Sequence, residues 1–222
     1  MALVLDGSSG TTGNLANGDL QVNGVNVGKG GGSQSTNTAL GYQAQNATNT
    51  VGYATTIGYQ AGYSVTGGYV TAVGYQAVYS NATGGDIVGV GYKSLYSNTT
   101  GTAVVGCGDQ TLQNNTIGSN NTAVGQSALQ SNTTASNNTA VGYQAGYSAN
   151  GASLLTAIGY QAGYSCVNGD YNTFLGYKAG YASTLGSALN QYNTFVGANS
   201  GVATTSGTNN IALGGGTLSA NT

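Results

Sequence analysis

One pattern of apolar and polar positions recurs along most of the chain. Thr139-Ala-Val-Gly-Tyr-Gln-Ala-Gly-Tyr-Ser148 returns almost unchanged at Thr156-Ala-Ile-Gly-Tyr-Gln-Ala-Gly-Tyr-Ser165, which begins 17 residues later. Weaker copies extend from Thr38 to Thr217, and a fixed period of about this length is typical of solenoid architectures. The unit to explain is therefore a repeat and not a single catalytic site.

A glycine recurs in each copy and divides the chain after residue 36 into eleven units. The steps between successive glycines are 17, 16, 17, 15, 19, 17, 17, 17, 21 and 17 residues. We expect the extra residues to enter the Asn/Thr/Ser/Gly-rich loops, because loop closure depends only weakly on length. We predict a backbone bend at each of the repeat glycines, which are Gly41, Gly58, Gly74, Gly91, Gly106, Gly125, Gly142, Gly159, Gly176, Gly197 and Gly214.

A branched aliphatic residue precedes every one of these glycines. In a chain so rich in Gly, Asn and Thr, such a column predicts a buried core. The predicted core residues are Leu40, Ile57, Val73, Val90, Val105, Val124, Val141, Ile158, Leu175, Val196 and Leu213. Mainly small residues, such as Ala140, lie two positions before each glycine, and we expect this column to contact neighbouring subunits.

Thirteen of the 17 tyrosines form two further columns. The first directly follows the glycine and is predicted to be a surface or interface ladder of Tyr42, Tyr59, Tyr75, Tyr92, Tyr143, Tyr160 and Tyr177. The second lies four residues further on and consists of Tyr63, Tyr79, Tyr96, Tyr147, Tyr164 and Tyr181. The direction of these side chains stays open, because a bend at the glycine can reverse the alternation of a strand.

These columns predict an all-β fold, a parallel β-solenoid (β-roll) of about eleven 17-residue coils. Each coil is expected to have a strand up to the glycine, a bend, and a second short strand through Tyr-Gln-Ala. Coils stacked about 4.8 Å apart would align like residues as ladders. A helix is disfavoured because glycine is frequent and no 3.6-residue apolar stripe is present. One thin coil buries few apolar groups, so we expect a homo-oligomer, most simply a parallel trimer.

Residues 1–36 do not follow the repeat and are predicted to be an N-terminal attachment segment. Leu20-Gln-Val-Asn-Gly-Val-Asn-Val27 alternates apolar and polar residues around Asn23-Gly24, which is a strong β-hairpin signal. Gly28-Lys-Gly-Gly-Gly32 then has the composition of a hinge. Residues 37–222 are predicted to form the β-solenoid shaft.

Charge and composition argue against several functions. Only 4% of the residues are charged, and the formal net charge is −2. Nucleic-acid binding is disfavoured because phosphate recognition needs clustered Lys or Arg. We also expect no membrane insertion, because no apolar run approaches the ~20 residues that span a bilayer. The first six residues lack the basic region and the apolar length of a signal peptide.

The sequence offers little material for catalysis, metal binding or cofactor binding. It has no His, and its five acidic residues are scattered aspartates that do not recur at one position of the repeat. Neither a Cys/His cluster nor a calcium-binding β-roll motif is present. In the predicted register Cys107 and Cys166 lie about 14 Å apart, too far for a disulfide within one chain, although a bond between chains stays open. We predict a protein that is not an enzyme and that has no catalytic, metal or cofactor site.

Two groups of proteins resemble this sequence. Asn138-Thr-Ala-Val-Gly-Tyr-Gln-Ala-Gly146 is similar to the repeat of trimeric autotransporter adhesin heads, which are left-handed parallel β-rolls. Fibres of tailed bacteriophages, especially marine and cyanobacterial phages, resemble the chain more closely. Their openings are similar to Met1-Ala-Leu-Val-Leu-Asp-Gly7, and Gly18-Asp-Leu-Gln-Val-Asn-Gly-Val-Asn-Val-Gly28 also looks like theirs.

The phage resemblance implies a trimeric virion fibre of the tail or head. It would be attached to other virion proteins through its N-terminus and would bind a host cell-surface glycan or protein distally. The C-terminal chaperone and globular tip of such fibres are not visible before Thr222, which implies either a removed tip or a fibre that ends with its shaft. The alternatives are a bacterial surface adhesin, a self-assembling extracellular filament, an ice-binding solenoid and a glycan depolymerase.

Overall fold

The computed structural model describes residues 11–12, 20–22, 25–31, 34–46, 52–182, 191–204 and 207–219. Within these ranges the chain is all-β, and fourteen strands form one continuous sheet in sequence order. The strands are β1 (Thr11–Thr12), β2 (Leu20–Val22), β3 (Val25–Gly28), β4 (Thr38–Gly41), β5 (Ala54–Ile57), β6 (Val70–Val73), β7 (Ile87–Val90), β8 (Val104–Cys107), β9 (Thr122–Val124), β10 (Thr139–Val141), β11 (Thr156–Ile158), β12 (Thr173–Leu175), β13 (Thr194–Val196) and β14 (Ile211–Leu213).

Strands β4 to β14 are parallel, and each strand from β5 to β13 pairs with the strands of the two neighbouring coils. Ala140 of β10, for example, aligns with Ala123 of β9 and Ala157 of β11. Equivalent residues are 17 positions apart here, so like side chains form ladders along the stack. The predicted parallel β-solenoid is confirmed.

The predicted second strand through Tyr-Gln-Ala is wrong, because this part of each coil is a run of tight turns. In one coil Gly58, Gln60 and Gly62 have φ angles of 132°, 51° and 59°, which lie outside the β region. The Gln60 amide donates to the Tyr42 carbonyl of the preceding coil over 2.8 Å. The Gly62 amide donates to the Ala77 carbonyl of the following coil over 2.9 Å. The turns therefore continue the hydrogen bonding between coils without forming a sheet.

The repeat glycine is required by the stacking of the coils. Gly142 has a φ of 133°, and a Cβ at this position would lie 2.4 Å from the carbonyl oxygen of Gly159. Any side chain would thus clash with the backbone of the next coil as well as straining its own. The bend predicted at this column is present, with one change of position.

The bend of the fifth coil lies at Gly108 and not at the predicted Gly106. β8 pairs Cys107 with Val90 on one side and with Val124 on the other. Gly108, with a φ of 131°, therefore stacks between the neighbouring repeat glycines, whereas Gly106 faces the core. The irregular steps of 15 and 19 residues become two steps of 17, so this coil contains no insertion.

The predicted core column lies on the outside of the coil. Val141 is 36% exposed, whereas its neighbour Ala140 is completely buried. Within the column Leu40, Ile57, Val124, Val141, Leu175 and Leu213 are exposed, and Val73, Val90, Val105, Ile158 and Val196 are half-buried. The small-residue column, predicted to contact other subunits, is instead the interior of the strand. At this inward position most coils leave room only for Ala or Gly, whereas two residues earlier the strand also buries Val70, Ile87 and Val104.

Larger core side chains alternate between the strand and the turn of a coil. Where the strand carries Gly89 or Gly106, the turn of the same coil inserts Leu95 or Leu112, and both leucines are fully buried. Where the strand carries a buried phenylalanine, the turn carries glycine. A Cβ on Gly201 would lie 2.2 Å from a ring carbon of Phe195. In these coils the interior is therefore filled from one wall, either the strand or the turn.

The described strands of the N-terminal segment, β1 to β3, continue the sheet of the solenoid. β2 and β3 pair antiparallel as the predicted hairpin, whose turn residues lie outside the described part of the chain. β3 then pairs antiparallel with β4, and Val27 aligns with Leu40. Within the predicted hinge Gly30 is buried, and the Gly31 amide donates to the Gln45 carbonyl over 2.6 Å. The hairpin thus covers the first edge of the parallel sheet.

Candidate interaction surfaces

The outer strand face carries one column of apolar side chains, which we call the outer aliphatic column. It consists of Leu40, Ile57, Val73, Val90, Cys107, Val124, Val141, Ile158, Leu175, Val196 and Leu213. Two residues earlier in each strand lies a second outward-facing row, mainly threonine, such as Thr139 and Thr156. Val88 and Val105 belong to this second row. The face therefore presents a regular array that is not covered by any part of the described chain.

All 17 tyrosines stack on at least one other tyrosine. Ring centroids are 4.8–5.4 Å apart, with nearly parallel planes. The first predicted column is exposed and forms two rows, and the second is half-buried and also forms two rows. Two further pairs, Tyr53 with Tyr69 and Tyr171 with Tyr192, precede the strands. The predicted ladder is therefore at the surface of a single chain.

A glutamine ladder runs between the two tyrosine columns. Gln60 Nε2 donates to Gln43 Oε1 over 2.8 Å, and Gln76 Nε2 donates to Gln60 Oε1 over 2.9 Å. Lys93 occupies the equivalent position in the next coil, with Nζ 5.4 Å from the ring centroids of both Tyr92 and Tyr96. Lys178 has the same relation to the last rings of the other rows. A cation–π contact thus accompanies the terminal rings of each array.

Desolvation within the tyrosine rows changes the titration of their central members. Desolvation raises the pKa of Tyr79, and the phenols of Tyr63 and Tyr96 add to the rise. The pKa of Tyr164 is raised in the same way, by desolvation and then by Tyr147 and Tyr181. Crowding of the phenols therefore favours their neutral form and gives no sign of a catalytic base.

The two cysteines have different surroundings. Cys107 is exposed in the outer aliphatic column, and Cys166 is buried; both are free thiols, as predicted for one chain. Burial raises the pKa of the Cys166 thiol to about 12, although a hydrogen bond with Asn172 opposes the rise. A buried thiol of this kind is poorly nucleophilic. Cys166 is therefore a packing residue.

Two tyrosine-free coils interrupt the turn face. Asp109 and Gln126 replace the first tyrosine of the repeat, and Gln113 and Gln130 replace the second. We call these two coils, which follow Gly108 and Gly125, the notch. The interruption is visible in the sequence, because the first column passes from Tyr92 to Tyr143 and the second from Tyr96 to Tyr147.

The described ranges contain no cluster of His, Cys, Asp or Glu that could hold a metal ion. In the same residues no helix is long and apolar enough to cross a membrane. Comparison with protein-family models, with curated proteins and with solved structures finds no match. The function is therefore inferred from the geometry of these surfaces.

Proposed function

We propose that this chain is the shaft of a non-enzymatic structural fibre, assembled from parallel copies of itself, most simply a homotrimer. The observation that carries the proposal is the outer aliphatic column. It repeats once per coil along the parallel sheet, on a face that the described chain leaves uncovered. Contiguous apolar surface of this kind favours association.

A second copy of the chain is the partner that fits this column best. Its ten steps of ~4.8 Å give a strip about 48 Å long, and a partner with another spacing would fall out of step along it. A parallel copy presents the same side chains at the same heights. Three such columns arranged around one axis would cover each other from both sides, and closed cyclic symmetry would give a finite rod.

The resemblance to phage fibres supports a role for this rod in a virion. We infer that the N-terminal segment, residues 1–36, attaches the shaft to other virion proteins, and that the shaft contributes to adhesion at the host surface. The rod shape and the N-terminal hairpin that covers one edge of the sheet support this polarity. The alternative is a bacterial surface adhesin or an extracellular filament, which would use the same column for assembly.

The oligomer is tested by analytical ultracentrifugation of the protein and of two variants. Val141→Asp places a charge in the middle of the column and is expected to shift the protein towards monomers. Asn120→Asp adds the same charge on an exposed loop position and is the matched control. A folded monomer of the unsubstituted protein, or equal association of all three proteins, contradicts the proposal.

The virion role needs a separate test. Electron microscopy of the source particle, with an antibody against the shaft, is expected to label thin fibres on the virion. Label confined to a bacterial cell surface would favour the adhesin alternative and reject the virion assignment.

A further inference from the structure

We propose that the notch is a binding site for a short, uncharged stretch of a polysaccharide. The biological meaning of this binding rests on the adhesive role proposed above, but the binding itself does not require the oligomer. The notch is the one place between β4 and β12 where both tyrosine columns are interrupted together. A local break in a regular surface is a better candidate for recognition than the repeat itself.

The notch exists because the residues that replace tyrosine in these two coils are smaller. Tyr92 and Tyr143 are the nearest members of the first column on either side, three coil steps apart, or about 14 Å at ~4.8 Å per step. Between them lie Asp109 and Gln126, which are shorter than tyrosine. In the second column Tyr96 and Tyr147 are likewise separated by Gln113 and Gln130, so the depression crosses the full turn face.

Aromatic rings form both end walls of the notch. Within a row each ring face is shared with a neighbour, but Tyr143 and Tyr147 stack only on Tyr160 and Tyr164. Their other faces have no aromatic neighbour and are directed along the rod towards the notch. A sugar ring that offers a face of C–H groups can stack on such an aromatic face. The ends of the rows provide this contact, whereas the interior of a row does not.

The floor of the notch carries amide groups that are free to bind hydroxyls. In the flanking coils glutamine amides pair with each other, as Gln161 does with Gln144 over 2.8 Å. The side chains of Gln110 and Gln126 make no such bond in the described chain. Gln130 Nε2 donates to Gln113 Oε1 over 2.8 Å, which leaves the other amide atoms of this pair available. Amides that both donate and accept suit a ligand rich in hydroxyl groups.

The charges beside the notch favour an uncharged ligand. Asp109 Oδ1 accepts a hydrogen bond from the Tyr92 amide over 3.2 Å, and the carboxylate is exposed. Lys93 Nζ lies against the rings of Tyr92 and Tyr96 at the same end. One negative and one positive charge side by side give no net attraction for an anionic or a cationic chain.

Filling the notch gives a specific test. Gln126→Tyr/Gln130→Tyr restores in one coil the residues that other coils carry, so this variant is expected to fold as well as the unsubstituted protein. Ala198→Tyr is the matched control, because it adds a tyrosine to the same column beyond Tyr177 and outside the notch. Thermal unfolding by circular dichroism verifies that all three proteins are folded.

Binding is measured by isothermal titration calorimetry with cellohexaose, chitohexaose and an acidic hyaluronan oligosaccharide of similar length. We expect a neutral oligosaccharide to bind the unsubstituted protein and the Ala198→Tyr control equally. The filled variant should bind at least about tenfold more weakly. Binding of none of the probes, of the acidic probe alone, or of the filled variant with unchanged affinity overturns the proposal. If the protein is monomeric but binds the oligosaccharide as expected, the fibre proposal is rejected and the proposal of a binding site at the notch is retained.

Discussion

Asn115 Nδ2 donates a hydrogen bond to Asn98 Oδ1 of the preceding coil over 2.7 Å, and both side chains are fully buried. The same bond joins Asn98 to Asn81 and Asn132 to Asn115, so four coils share one internal amide ladder. Each of these asparagines also donates to a carbonyl three residues further on. Repetition thus supplies hydrogen-bond partners for the buried amides within this ladder.

The amide ladder predicts that two alanine substitutions lower the free energy of unfolding by unequal amounts. Asn115→Ala removes three hydrogen bonds and is expected to lower the free energy of unfolding by about 3 kcal/mol. Asn132→Ala removes only two, because its Oδ1 has no partner at the end of the ladder, and should cost about 2 kcal/mol. Urea unfolding of both variants gives the comparison, and a larger loss for Asn132→Ala would contradict the ladder.

The filling of each coil from one wall predicts the effect of a single methyl group. Gly201→Ala should destabilise more than Gly216→Ala by about 1–3 kcal/mol, because a Cβ at Gly201 meets the Phe195 ring. The two glycines have similar φ angles of 60° and 68°, and a Cβ on Gly216 has no neighbour within 4 Å. The control therefore carries the backbone strain alone. Urea unfolding is the measurement, and equal losses would argue against the contact.

Stability should fall in alkaline solution through the tyrosine rows. The folded-state pKa of Tyr79 lies above its unfolded value of about 10, so folding favours the neutral phenol. The contribution of the Tyr79 phenol to the stability of the fold is fully present below about pH 10, and it is lost as the pH rises through the folded-state pKa. Melting temperatures at about pH 8.5 and about pH 11 should therefore differ less in Tyr79→Phe than in the unsubstituted protein. An identical decrease in both proteins would exclude this phenol as a cause.

Native Cys166 should resist alkylation. With a pKa of about 12, only on the order of one thiol in ten thousand is ionised at about pH 8, and burial also blocks access. Iodoacetamide is expected to modify Cys166 only after unfolding in urea, as measured by peptide mass spectrometry. Cys107 in a Val141→Asp monomer is the exposed control and should react without urea. Rapid modification of Cys166 in the folded protein would contradict its placement.

A parallel assembly predicts a disulfide between Cys107 residues of different chains. Copies aligned in register bring the outer aliphatic columns together at equal heights, so the exposed Cys107 thiols would meet. In a Cys166→Ala background, mild oxidation should give covalent dimers on a non-reducing gel, with the third chain of a trimer free. Dimers formed equally well by the Val141→Asp variant would mean that the bond does not depend on the column.

The sequence determined the repeat and the fold class. The recurrence of Thr-Ala-Val-Gly-Tyr-Gln-Ala at 17 residues requires equivalent residues to occupy equivalent places, and stacked parallel coils satisfy this requirement with strand residues such as Thr139 and Ala140. The antiparallel pairing of β2 with β3 was also predictable, because Asn23-Gly24 and the alternation on either side of it are local signals in the sequence. Ladders of like residues, tyrosine included, follow from the period alone.

Only the tertiary structure decided which column is inside. Hydrophobicity ranks Val141 above Ala140, yet Ala140 is the buried one, because the space between the strand and the turns is too narrow for a continuous aliphatic column. The same limit explains why Leu112 enters from the turn beside Gly106, and hence why the bend lies at Gly108. How much side-chain volume fits inside a coil depends on contacts between positions that are far apart in the repeat. Inspection of single columns of the repeat does not show these contacts, and they are the reason why the aliphatic column is exposed.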